Sequence, residues 1–144
     1  MRELPRILLA EDNENDVELT LRAFREHNLH NQIDVVNDGE QALDYLFQRE
    51  NFTERPPANP VVVLLDIKMP KLDGIDVLRE IRNSEEFKFL PVVMLTSSSM
   101  DRDIMESYEL GVNAYVVKPV EFSEFITAIK HVGIFWAIIN KTTS

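Results

Sequence analysis

The sequence predicts an α/β fold, a doubly wound five-stranded parallel sheet flanked by five helices. Two observations predict it. Short β-branched runs alternate with longer segments of helical period five times along the 144 residues. Two of those runs, "VVVLLD" and "PVVMLT", are apolar without alternation, as strands covered on both faces are. Repeated βα units of this kind place functional groups at the carboxyl ends of the strands.

The first strand is "RILLA", followed by a helix over about 14–28 that gathers Val17, Leu21 and Phe24 on one face. The second strand is "IDVV", and a helix over about 39–49 brings Ala42, Leu43 and Leu46 together. Arg49 to Pro60 reads as an irregular surface connection, because Pro56, Pro57 and Pro60 continue neither a helix nor a central strand. The third strand, "VVVLLD", leads to a helix over 74–83 with Ile75, Leu78 and Ile81 on its inner face. After "PVVMLT", a fourth helix begins at Asp101 and stops at Gly111, a natural C-terminal cap. "AYVVK" is the fifth strand, and Glu121 begins a last helix expected to reach about Asn140.

Composition narrows the function. The length and a hydrophobic content of 44% suit one domain over 1–144, and no shift of composition marks a boundary. There is no cysteine, which removes disulfide frameworks, thiolate metal sites and thiol nucleophiles and fits a reducing compartment, with the cytoplasm as default. No stretch approaches a membrane span, and no signal-peptide core is present. A net charge of -10 speaks against nucleic acid, whose binding rests on Lys and Arg neutralising phosphates. Proteins and cations are the expected partners.

The strand ends carry the chemistry. Glu11 and Asp12 follow the first strand and Asp66 ends the third, so neighbouring strands would aim three carboxylates at one crevice. Such a cluster repels itself unless a hard divalent cation such as Mg²⁺ neutralises it. Taken alone, "EDNEND" is read equally well as acids favoured at a helix start. The fourth strand, however, ends on the hydroxyl of Thr96 and the fifth on the amine of Lys118. A serine or threonine run commonly caps a helix, and a lysine after a strand is usually solvated. Four of five strand ends carrying chemically suited groups is nevertheless a constellation that chance seldom produces.

At these residues the chain resembles the receiver domain of bacterial two-component response regulators, a flavodoxin-like fold. The matching pieces are "ILLAEDN", "VVVLLDIKMPKLDG", "PVVMLTSSS" and "GVNAYVVKPV", in that order, with 30 positions from Asp66 to Thr96 and 22 from Thr96 to Lys118. The resemblance covers essentially the whole chain. It implies that Asp66 is the phospho-acceptor, that Glu11, Asp12, Asp66 and the backbone carbonyl of Lys68 hold Mg²⁺, and that Lys118 contacts the phosphoryl group. It further implies that Thr96 is the switch hydroxyl and Tyr115 the switch aromatic, and that the Lys118–Pro119 peptide is cis. On its own Tyr115 would read as a partly exposed strand aromatic. Lys68 and Ser98 fall at positions that tune the lifetime of the acyl phosphate in this family, and Ser97 leaves room for the phosphoryl group.

A narrower resemblance, to the single-domain regulators of cyanobacterial and bacterial phytochrome kinases, rests on four features. They are "EDNENDVELT", the proline-bearing connection, "LTSSS" and the pair Phe135–Trp136. It implies a stand-alone regulator without an output domain that accepts a phosphoryl group from a sensor histidine kinase of the bacteriophytochrome type. Such a protein is a signalling phospho-acceptor and not an enzyme acting on other substrates. A phosphorelay intermediate, passing its phosphoryl group to a downstream histidine protein, is the alternative.

The last helix bears on output. Val132, Ile134, Phe135, Trp136, Ile138 and Ile139 would cover nearly its whole circumference, and a helix apolar all round is buried on more than one side. A homodimer or kinase-docking surface anchored by Phe135, Trp136 and Ile139 is expected, against the alternative that this end curls over the core. Two other function classes fit less well. A small-molecule phosphohydrolase would need an acid/base two residues after the nucleophile, where Lys68 stands, and a pseudo-receiver would not need the complete set of Glu11, Asp12, Asp66, Thr96 and Lys118. His27, His30 and His131 lack metal-ligand spacing.

Overall fold

A computed structural model describes residues 4–97 and 102–140. The order is β1 (Ile7–Ala10), α1 (Glu14–Glu26), β2 (Ile33–Val36), α2 (Gly39–Leu46), β3 (Val62–Asp66), α3 (Gly74–Asn83), β4 (Val92–Thr96), α4 (Arg102–Glu109), β5 (Ala114–Val117) and α5 (Phe122–Val132). All strand pairs are parallel, in the order β2-β1-β3-β4-β5. Connections therefore run to opposite sides of β1, and the crevice between β1 and β3 is the switch point at which such sheets bind ligands.

Every residue of β1, β3 and β4 is buried, which is why these strands show no polar alternation. Leu8, Leu65 and Met94 pack on one face against Leu46 of α2, Leu78 and Ile81 of α3 and Ile104 of α4. Ile7, Leu9, Leu64 and Leu95 pack on the other against Phe24 of α1 and Phe125 and Ile129 of α5. Three helices begin where their sequences provide a cap: Asn13, Asp38 and Asp73 accept the backbone N–H of Asp16, Gln41 and Asp76 at 2.8–3.0 Å. Gly111, at φ +84°, follows α4 as the expected left-handed stop.

Helix ends depart from expectation where the backbone turns left-handed. α1 stops at Glu26, and α2 stops at Leu46 because Gln48 (φ 54°) and Glu50 (φ 54°) leave the helical region. The proline-rich connection contains a short 3₁₀ turn, Glu50–Phe52. Arg55 ties it down by donating to the carbonyls of Tyr45, Leu46, Pro56 and Ala58.

The largest correction concerns the C-terminus. The last helix does not reach Asn140: it ends at Val132, where Gly133 adopts φ +90°, and a 3₁₀ turn spans Phe135–Ala137. Ala137 and Ile138 are buried, Ile138 within the α1–α5 core. Asn31 clips this arm, donating to the carbonyls of Pro5 (2.8 Å) and Ala137 (2.9 Å) and accepting from the Ile139 N–H (2.8 Å). Asn140 pairs with Leu29. The arm thus curls over the core, while Phe135 (45%), Trp136 (75%) and Ile139 (36%) stay exposed. Asn31→Ala removes one buried and two part-buried hydrogen bonds and should cost about 2 kcal/mol. Thermal melting checks this as a fall of roughly 6 °C at about 3 °C per kcal/mol.

Candidate functional site

β1 and β3 bring the acids together by register. Ala10 pairs with Leu65, so the next residues, Glu11 and Asp66, leave neighbouring strands side by side. Asp66 pairs with Leu95, one residue before Thr96, and Thr96 pairs with Val117, one residue before Lys118. The result is a cavity of about 180 Å³ at the carboxyl edge, lined among others by Glu11, Asp12, Asp66, Lys68, Thr96 and Lys118. Six sequence-derived residues therefore meet in one place.

Glu11, Asp66 and Thr96 are buried, and Asp12 is exposed. Lys118 Nζ donates to Glu11 Oε1 at 3.0 Å and lies 3.4 Å from Asp66 Oδ2. Backbone amides contribute as well. Asn13 donates to Glu11 Oε2 at 3.1 Å, and Lys68 to Asp66 Oδ1 at 3.4 Å. The Lys118–Pro119 peptide is cis, as the resemblance implied.

Asp16 is a site residue that sequence reading missed. It sits in the first turn of α1, and its Oδ2 accepts from Lys118 Nζ at 3.0 Å. An acid there is explained equally well by the helix dipole, so no local signal distinguishes it. Gly74 is the first residue of α3. A Cβ at this position would stand 2.4 Å from the Asp66 carbonyl oxygen, so the loop after the acceptor strand closes only around glycine.

Tyr115 does not line this cavity. It lies on a neighbouring groove with Tyr108, Glu124, Ala128 and His131, its ring edge-on to Tyr108 at 5.6 Å. Tyr115 pairs with Met94, and Met94 and Thr96 share a sheet face, so Thr96 and Tyr115 emerge on the same side. Ser98, Ser99 and the expected helix start at Asp101 lie outside the described residues.

The donor set fits a divalent cation. One ligand oxygen each from Glu11, Asp12 and Asp66 can be chosen so that all lie within 4.8 Å of one another. Four carboxylates (Glu11, Asp12, Asp16 and Asp66) face two lysines (Lys68 and Lys118) around the cavity, an imbalance a divalent ion would offset. Burial, then hydrogen bonding to Asp66, pushes the Glu11 carboxyl up from 4.5 to about 7. At Lys118 burial works downward, but hydrogen bonds to Asp16 and Glu11 and the charge of Asp66 outweigh it and hold the amine above its ordinary value.

A raised folded-state value means that the native protein holds a proton the unfolded chain has released. The Glu11 contribution to stability is thus fully present below pH 4.5 and is lost as pH rises through about 7. In metal-free protein the melting temperature relative to Glu11→Gln should fall between pH 5 and 8, and Mg²⁺ should restore it in the wild type alone. A pH-independent difference between the two proteins would contradict this.

Comparison with known proteins agrees with this geometry. The response regulator receiver domain family matches residues 7–130. The chain belongs to that family. It is 51% identical to the bacteriophytochrome response regulator AtBRR, with a TM-score of 0.89 over 97% of this chain and 100% of that one. Response regulator Rcp1 of Synechocystis sp. is 33% identical over 130 residues, 90% of this chain and 87% of Rcp1. The Mn²⁺-bound form of Rcp1 superposes with a TM-score of 0.74 at 31% identity over 97% of each chain. The phosphorylated cyanobacterial phytochrome response regulator RcpA gives 0.75 at 34% identity over 94% of each. A probable methanogenesis regulatory protein of Methanothrix harundinacea, FilR2, is 37% identical over 136 residues, 94% of this chain and 86% of that protein. These likenesses bear out the two-component resemblance and its phytochrome-associated branch. Among the described residues no helix is long and apolar enough to cross a membrane.

Proposed function

We propose that this receiver domain works alone as a phosphorylation switch, accepting a phosphoryl group on Asp66 from a phosphohistidine of a sensor kinase and signalling through protein contacts. The observation that carries this reading is the convergence of an acid pair, a buried aspartate, a hydroxyl and a lysine on one cavity from four strand ends. Asp66 Oδ attacks phosphorus in line; the new O–P bond forms as the histidine N–P bond breaks, and that electron pair returns to the imidazole. Glu11, Asp12, Asp66 and the Lys68 carbonyl would hold Mg²⁺, which supplies charge neutralisation between an anionic nucleophile and an anionic donor. Lys118 gives the phosphoryl oxygens a cationic contact, and Thr96, from the neighbouring strand end, offers its hydroxyl. Movement of the Thr96 loop makes room for Tyr115 on the same sheet face, a population shift between two packings.

The 51% identity to AtBRR favours a kinase of the bacteriophytochrome type. Incubation with Mg²⁺ and acetyl phosphate should add the mass of one phosphoryl group; absence of that mass sinks the proposal. The exposed Phe135, Trp136 and Ile139 are the proposed homodimer contact. Sedimentation should show association that Trp136→Ala weakens at least tenfold, and a strict monomer at high concentration would overturn it.

A further inference from the structure

The two hydrogen bonds of Lys118 go to acids other than the phospho-acceptor. Its ammonium has three protons to give, and two hydrogen bonds are directed at Glu11 Oε1 and Asp16 Oδ2, both at 3.0 Å. Asp66 Oδ2, one oxygen of the acceptor carboxylate, is the more distant contact at 3.4 Å. We infer that Asp16 is a positioning residue that competes with the phosphoryl group for the Lys118 amine, so that phosphorylation of Asp66 breaks the Lys118–Asp16 pair. This inference rests on the phospho-acceptor reading.

Three observations single out Asp16 as the partner released. It lies outside the group of three carboxylates that can share a cation, whereas Glu11 and Asp66 belong to it. Its side chain is 29% exposed against 1% for Glu11, so water can replace the lysine at Asp16 but hardly at Glu11. Its backbone is fixed independently of Lys118: the Asp16 N–H donates to the Asn13 cap at 3.0 Å, and its carbonyl accepts from Thr20 Oγ1 at 2.9 Å. The Asp16 backbone is therefore anchored at the helix start whether or not Lys118 stays paired with its carboxylate.

Asp16→Asn keeps the shape and the helix cap but gives up the ion pair. With the competitor weakened, Mg²⁺-dependent binding of beryllofluoride, a phosphoryl mimic, should tighten about 5-fold, equal to about 1 kcal/mol. Phosphorylation by acetyl phosphate should accelerate by a similar factor. In a Lys118→Gln background Asp16→Asn should have no effect, a result that a purely structural role for Asp16 would not produce. Equal or weaker binding by Asp16→Asn, or an effect that persists without Lys118, overturns the inference while leaving the phospho-acceptor reading intact. Failure of the wild type to bind beryllofluoride overturns both.

Discussion

Asp66→Asn is expected to abolish phosphoryl uptake from acetyl phosphate altogether while leaving the fold in place. The amide has no anionic oxygen to attack phosphorus, and no neighbouring acid can substitute. Asp12 is exposed beyond the strand edge, while Glu11 Oε1 and Oε2 are engaged by Lys118 and the Asn13 N–H. The fold should survive because the change conserves volume and removes one charge from a cavity in which acids outnumber lysines. Thermal stability without metal should stay within about 1 kcal/mol of wild type. Intact mass and a melting curve, measured together, check both halves. Phosphoryl mass on Asp66→Asn would place the acceptor elsewhere, and loss of the melting transition would make Asp66 structural.

The second large effect is expected at Gly74. Its N–H donates to the Ile67 carbonyl at 2.7 Å, closing the loop that follows the acceptor strand directly onto α3. A methyl group would meet the Asp66 carbonyl oxygen at 2.4 Å and Ile67 Cα at 2.8 Å, both backbone atoms in a strand end that cannot give way. Gly74→Ala should thus cost about 2–3 kcal/mol as an overpacking defect. Because the strain falls on Asp66 itself, phosphorylation should also slow, by roughly tenfold or more, since small misplacements of a nucleophile weigh heavily on rate. Melting curves and acetyl phosphate kinetics on the same sample test the coupling. A fully stable variant, or a destabilised one that phosphorylates at the wild-type rate, would show that the loop does not govern the acceptor.

Much of the fold was legible because its strands are read in linear runs. "VVVLLD" and "PVVMLT" are apolar at each position since both faces are covered, and α3 over 74–83 has an aspartate cap before it and a clean apolar face. Helix ends were less legible. The helical period continues past Leu46 and past Val132, and only the left-handed backbone at Gln48, Glu50 and Gly133 stops those helices. Ile138 looked like surplus apolar surface and is in fact core, because Asn31, more than a hundred residues away in sequence, fixes the arm that carries it.

The sequence by itself determined which groups the protein has for chemistry: Glu11, Asp12, Asp66, Thr96 and Lys118 each follow a recognisable strand, and parallel strands expose their carboxyl ends at one edge. Tertiary structure alone decided their partners. The register of Ala10 with Leu65 sets Glu11 beside Asp66, and the turn from β1 into α1 swings Asp16 over the cavity to take the Lys118 amine. Such contacts depend on strand order and on the direction of a helix axis. Those are set by how the two apolar faces of the sheet are covered, and no window of neighbouring residues encodes them.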